Sequence, residues 1–307
     1  TSYILRNDGG KDGELHFTDI TKTIAPDLIS CGLVTSALWQ DFDQDGRPDL
    51  VIAGEWMALR FFKNNKFGFE EVTSDKGMEG TSGWWYSLES VDVDKDGDLD
   101  IVAGNLGLNY KYKTDENTTF EIYANDFDEN GKSDIVLAYI KNGKELPVRG
   151  KECSSQQIPA IGHRFSTYKS FAEADLSDIY GDNMLKQSLK YDASTFAHHW
   201  IENKGSEKWD MHQLSPRSQF SSVNDIEIIY EDQDSFPDLL LVGNLYGSEV
   251  ETPRNDASMG LLLKNKGSGD FFTQPRRERS KLSDLYAWVK MVLWPICLPL
   301  IMIHCDF

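Results

Sequence analysis

Over most of the chain apolar residues come in short unbroken runs: Leu50 to Ala53, Ile101 to Ala103, Ile135 to Ala138 and Leu239 to Val242. A strand whose apolar positions do not alternate has apolar surroundings on both faces, so each run predicts an inner strand buried on both sides. A second pattern is an apolar strand broken by Asn and Gly: ILRNDGG from Ile4, FFKNNKFG from Phe61, WIENKGS from Trp200 and LLLKNKGSG from Leu261. Each predicts a hairpin. One region differs. Across roughly 151–197 the segments SFAEADLSDIY and NMLKQSLKYDASTFAHHW space their apolar residues at three and four positions, which predicts amphipathic helices decorating one face.

An acidic segment precedes every apolar run: DFDQDGRPDLVIAG from Asp41, DVDKDGDLDIVAG from Asp92, DFDENGKSDIVLA from Asp126 and YEDQDSFPDLLLVG from Tyr230. Their starts are 51, 34 and 104 residues apart. The first two spacings bracket one four-stranded propeller blade, and the third holds the helical insertion. The expected architecture is therefore all-β, a partial β-propeller of about four to five blades with acidic loops, covering 1–272. From Gln274 the pattern changes. A basic stretch, QPRRERSK, precedes the apolar run MVLWPICLPLIMI, which has two prolines and is shorter than the roughly 20 residues that span a bilayer. We read 273–307 as an atypical, non-native or disordered tail, and no membrane anchor is expected from it.

The spacing D-x-D-x-D-G-x-x-D allows carboxylates at positions 1, 3, 5 and 9 and the carbonyl at position 7 to converge on one hard cation, with Gly at 6 making the turn. For the first loop the candidate ligands are Asp41, Asp43, Asp45, Asp49 and the Arg47 carbonyl. The second offers Asp92, Asp94, Asp96, Asp100 and the Asp98 carbonyl. The third offers Asp126, Asp128, Asn130, Asp134 and the Lys132 carbonyl, and its amide predicts weaker binding. In the fourth, Tyr230 replaces the first Asp and Ser235 the Gly, leaving Asp232, Asp234 and Asp238 in a degenerate site. About three calcium sites are expected.

Four carboxylates within contact distance make repelling pairs worth about 1 kcal/mol each in water and about 4 at an effective dielectric of 20. A metal-free loop is thereby penalised, and calcium is expected to be structural. A single acidic turn would read as a solvated hairpin, but three copies in register do not. An EF-hand requires a bidentate Glu at position 12, where this chain has Ile52, Ala103 and Leu137.

Composition removes other classes. With 31 Lys and Arg against 50 Asp and Glu the formal charge is −19, which repels nucleic acid. Four cysteines without CxxC spacing make neither a metal knuckle nor a disulfide framework. No nucleophile elbow, HExxH helix or phosphate loop occurs. His198 and His199 read as a packed or surface pair rather than ligands, and Trp39, Trp56, Trp84, Trp85 and Tyr86 as core between blades rather than a sugar platform. No signal segment opens the chain, so a removed leader or an internal fragment is expected.

The acidic loops, each followed by an apolar strand, resemble the FG-GAP/VCBS repeats of integrin α-like propellers, over about Ile4 to Phe272. The runs ALWQDFDQDGRPDLVIAGEWM, SGWWYSLESVDVD and AGNLGLN are similar to the propeller segment of large bacterial VCBS-repeat proteins associated with ASPIC/UnbV domains, though that domain itself is not visible. The resemblance implies calcium at blade loops and a surface that captures a protein or carbohydrate ligand. With too few loops for a ring of about seven, a fragment is expected. The expectation is an extracytoplasmic binding, adhesion or scaffolding module, secreted, periplasmic or on the cell surface, without catalysis of its own. The alternative is a carbohydrate-active lyase or hydrolase whose site lies at the insertion.

Overall fold

The computed structural model describes residues 2–10, 14–115, 118–205, 208–232, 234–248, 252–273 and 302–303 of the chain. The fold is all-β and propeller-like, and it divides into two compact units, one made of 1–80, 84–110 and 197–307, the other of 81–83 and 111–196. Apart from Met302–Ile303, which runs parallel to Leu5 and Arg6, the tail expected beyond 273 lies outside the described residues.

Besides the small sheet of Leu5–Asn7, Phe17–Asp19 and Met302–Ile303, the described residues of the first unit form three antiparallel sheets whose strands neighbour one another in chain order. Leu33–Gln40, Asp49–Met57, Arg60–Asn64 and Phe69–Glu71 form the first. Ser87–Val91, Asp100–Gly104, His199–Glu202 and Asp210–Gln213 form the second. The third comprises Asp225–Ile229, Asp238–Val242, Leu261–Asn265 and Phe271–Thr273. In each sheet an acidic loop joins the first strand to the second, and all four expected hairpins are present, Leu5–Asn7 with Phe17–Asp19 among them.

Why these sheets stack is visible along one strand. Ile101 and Ala103 turn toward the first sheet, into a core with Val51, Ala53, Phe61, Trp85 and Trp209. Val102, between them, turns the other way into a core with Trp200, Ile226, Leu239, Leu241 and Leu263. All three are fully buried, as an inner strand requires. On its other face the first sheet packs Leu50, Ile52 and Phe62 against Ile4, Ala25 and Leu28.

The second unit holds a fourth antiparallel sheet of different order, with Leu189–Ala193 beside Phe120–Asn125, then Asp134–Lys141 and Lys144–Pro147. Five short helices from Lys151 to Gln187 bury Ile158, Ile161, Phe171, Leu176 and Ile179 against Tyr123, Val136 and Ala138 of this sheet. The helices lie within the segment expected to be helical from about 151, and the main segment of the unit that holds them begins at 111 and carries the third acidic loop. Two expectations need correction here. The run Ile135 to Ala138 is buried on one face only, with Ile135 44% exposed, because helices cover one side of this sheet. Helical spacing also misled after Gln187. Leu189–Ala193 and His199–Glu202 are strands, paired with Phe120–Ala124 and Ile101–Ala103, partners too distant in sequence for local periodicity to reveal.

Candidate metal centres

The acidic loops share one backbone path. At position four Gln44, Lys95 and Glu129 adopt left-handed conformations, with φ of 57°, 65° and 56°. At position six Gly46, Gly97 and Gly131 do so at 86°, 101° and 84°, and Ser235 keeps the same turn at 68° although it carries a Cβ. The first carboxylate holds the turn: Asp41 accepts from the N–H groups of Asp45 (3.0 Å) and Gly46 (2.8 Å), and Asp126 from Asn130 (2.9 Å) and Gly131 (2.7 Å).

This folding gathers carboxylates. Oxygens of Asp41, Asp43 and Asp45 lie within 4.8 Å of one another, as do those of Asp92, Asp94 and Asp96, and those of Asp126, Asp128 and Asp134. Asp92 Oδ1, Asp98 Oδ1 and Asp128 Oδ1 are buried with no hydrogen-bond donor against them. Buried carboxylate oxygens without donors are costly unless a cation faces them, and oxygen-only sets of this kind suit calcium. The residues of the second and third loops therefore fit that ion, while the first gathers the same acids with Arg47 and Lys63 paired to two of them. Asp98 was expected to contribute only its carbonyl. Its side chain is instead drawn in, and burial, followed by the charges of Asp96, Asp94 and Asp92, pushes its carboxyl up to about 6. Nothing in the D-x-D-x-D-G pattern distinguishes an acid at position seven from any other residue there. Arg47 turns its side chain to Asp45 and to the Asn64 carbonyl (2.9 Å), while the Lys132 N–H donates to Asn130 (2.9 Å).

The carboxylates at position nine are set apart. Asp49 accepts from the N–H groups of Phe42 (3.1 Å) and Asn64 (2.7 Å), and Asp100 from Val93 (2.8 Å) and Asn203 (2.8 Å). Both are fully buried, and burial pushes them up to about 6 and about 7. Each thus staples its loop to the end of the third strand, where an Asn recurs. In two cases the amide of that Asn also reaches the loop of the preceding sheet. Asn203 Nδ2 donates to the Phe42 carbonyl (3.1 Å) and Asn265 Nδ2 to the Val93 carbonyl (2.8 Å). Asp134 accepts from Phe127 (3.1 Å) and from the Gln157 amide (3.1 Å), so helix residues support the third loop.

In the fourth loop Asp238 accepts from the N–H groups of Glu231 (3.2 Å) and Asn265 (3.0 Å), preserving the staple. Glu231, Asp232 and Asp238 converge, but Lys264 stands among them with its Nζ 2.8 Å from Asp232 and 2.9 Å from Asp238, and also paired with Glu231. This loop does not fit a metal ion while that ammonium is there.

His198, His199, Trp39, Trp56, Trp84 and Trp85 pack among neighbouring groups. His198 is fully buried, accepting from the Asn105 N–H at Nδ1 (2.8 Å) and facing the Ser221 carbonyl with Nε2 (3.0 Å). Burial pushes it and His199 down to about 4. Trp85 lies in the core, Trp39 packs edge-on against Phe69 (5.6 Å), and Trp56 packs against Trp84 (5.1 Å). In the second unit Tyr123 bridges Glu121 (2.9 Å) and Glu145 (2.8 Å), and Lys190 pairs with Glu121 (3.0 Å), a network tying neighbouring strands of one sheet. Among the described residues no helix is long and apolar enough to cross a membrane.

No curated protein matches the chain. Residues 41–103, which hold both complete acidic loops, match the family model of the FG-GAP-like repeat, so this segment carries that repeat within a propeller-like β fold.

Proposed function

We propose that this chain is a calcium-stabilised binding module that acts outside the cytoplasm, in adhesion or scaffolding, and has no catalytic activity of its own. The observation that carries the reading is the set of buried, donor-free carboxylate oxygens at Asp92, Asp98 and Asp128, in loops that gather acids around one point. Asp41, Asp43 and Asp45 would hold one ion, Asp92, Asp94, Asp96 and Asp98 a second, and Asp126, Asp128 and Asp134 with Asn130 a third. The ion's chemistry would be neutralisation of these repelling charges, leaving the propeller-like surface to capture a protein or carbohydrate ligand. Localisation follows from supply, since extracellular calcium modules work at about 10⁻⁴ to 10⁻³ M.

The test is thermal unfolding of the full chain in excess calcium and in chelator. An ion at about 100 times its Kd stabilises by about 2.7 kcal/mol per site. A midpoint several degrees higher in calcium is expected. An unchanged midpoint would reduce the loops to acidic turns and remove the basis for the localisation.

A further inference from the structure

At the end of the third strand of each sheet in the first unit two residues recur in tandem, Lys63-Asn64, Glu202-Asn203 and Lys264-Asn265. The Asn N–H bonds the position-nine carboxylate in all three. The residue before it differs in charge and burial. Lys63 pairs with Asp43 of the first loop, yet its side chain is 41% exposed. Glu202 places an acid at this position and pairs with Lys204 and with His212 (2.9 Å). Lys264 is only 2% exposed, and every carboxylate of the fourth-loop group reaches it.

We propose that the Lys264 ammonium is the resident cation of the fourth loop, closing it without metal, and that a lysine ahead of the hairpin Asn replaces a metal ion where it is buried among the acids, as Lys264 is, and not where it stays exposed, as Lys63 does. For the loops it is compared with, the proposal rests on the calcium reading above. An ammonium has three N–H donors, and Glu231, Asp232 and Asp238 supply three acceptors, so its hydrogen-bonding capacity is met. A buried ammonium without partners would be strongly disfavoured, as would buried Asp238 without a cation. A divalent ion entering this cluster would meet the ammonium's charge at contact distance. The replacement of the first Asp by Tyr230 fits the same logic, because a monovalent cation requires fewer acids than a divalent one.

The proposal is tested on the full chain with Lys264→Met, which keeps most of the stem and removes the charge, and with Lys264→Arg, which keeps a cation. Calcium bound per chain is counted by equilibrium dialysis, and thermal midpoints are recorded in chelator and in calcium. Lys264→Met is expected to bind one calcium more than the native chain and to melt several degrees lower in chelator, with calcium recovering much of the loss. Lys264→Arg is expected to keep the native count. A Lys264→Met protein with native count and native chelator midpoint would overturn the proposal. Amine-reactive labelling of the native chain decides the matter even if the variants do not fold. Lys264 should stay protected with or without calcium, while Lys169, whose side chain is 85% exposed, reacts in both. Labelling of Lys264 that rises when calcium is added would mean that the metal displaces the ammonium, which also overturns it. If the native chain takes up no calcium, the reading of the other loops fails, whereas the chelator midpoints and the labelling still judge Lys264.

Discussion

The second and fourth acidic loops share a turn and a staple yet meet the same electrostatic problem in opposite ways. In both, the aspartate at position nine accepts two backbone N–H groups, one from its own loop and one from the hairpin Asn. In both, position six is left-handed. The second loop nevertheless leaves Asp92 and Asp98 with donor-free buried oxygens, while the fourth has lost its first acid and gained a buried lysine. The path is therefore set by the staple and the turn, and the cation is a separate choice made by side chains around them.

The largest effect should come from removing the fourth loop's anchor. Asp238→Ala leaves the Lys264 ammonium buried without its best-shielded partner and strips the acceptor from two N–H groups, at a cost of about 3–5 kcal/mol. Because no metal is involved, the loss should be equal in calcium and in chelator. Asp92→Ala in the second loop should behave differently, lowering the thermal midpoint in calcium and barely changing it in chelator. Equal calcium dependence of the two variants would erase the distinction between the loops.

A smaller effect tests whether the loops are coupled. Asn265 ends the strand that serves the fourth loop, yet its side-chain amide donates to Val93 within the second. Asn265→Ala keeps the backbone bond to Asp238 and leaves the buried Val93 carbonyl without that donor, a loss of about 1–3 kcal/mol. Calcium affinity should fall with it, although no ligand has been touched, and titration calorimetry of the variant reads that change directly. A native affinity would show the bracket to be purely structural.

Much of this was readable in the chain because the deciding interactions are local. The acidic repeats, the runs at Leu50, Ile101 and Leu239 and the Asn/Gly hairpins each declare themselves within about ten residues. What stayed hidden depends on partners far away in sequence. His199 was assigned to a helical run because its strand partner, Ala103, lies on the far side of the inserted unit. The pattern offers Asp49 and Asp100 as ligands like their neighbours, and says nothing of the N–H groups of Asn64 and Asn203 that bond them. Lys264, within LLLKN, looks like the polar end of an apolar strand, and only the fold carries it to Asp232 and Asp238.

The smallest expected effect separates the two loops by pH. Burial holds the carboxyls of Asp98 and Asp100 at about 6 and about 7, above the value near 3.9 of an unfolded aspartate. In chelator the folded chain therefore binds protons that the unfolded chain does not. That stabilisation is complete below the unfolded value and is lost as pH rises through 6 and 7. Calcium must displace those protons, so the midpoint gain from calcium should be largest at pH 8 and shrink toward pH 5. His198 and His199, held down to about 4, act in the other direction, giving stability above their unfolded value near 6.5 that is lost as pH falls toward 4. They are alike with and without calcium and so cancel in the difference. Lys264 is pushed further above its ordinary value by its acidic partners and stays charged across this range. The calcium gain should therefore titrate between pH 8 and pH 5 while Lys264 remains protected from amine labelling throughout. A calcium gain independent of pH would mean that Asp98 does not face the ion and that the charge of the ion is not felt at Asp100, the staple beside it.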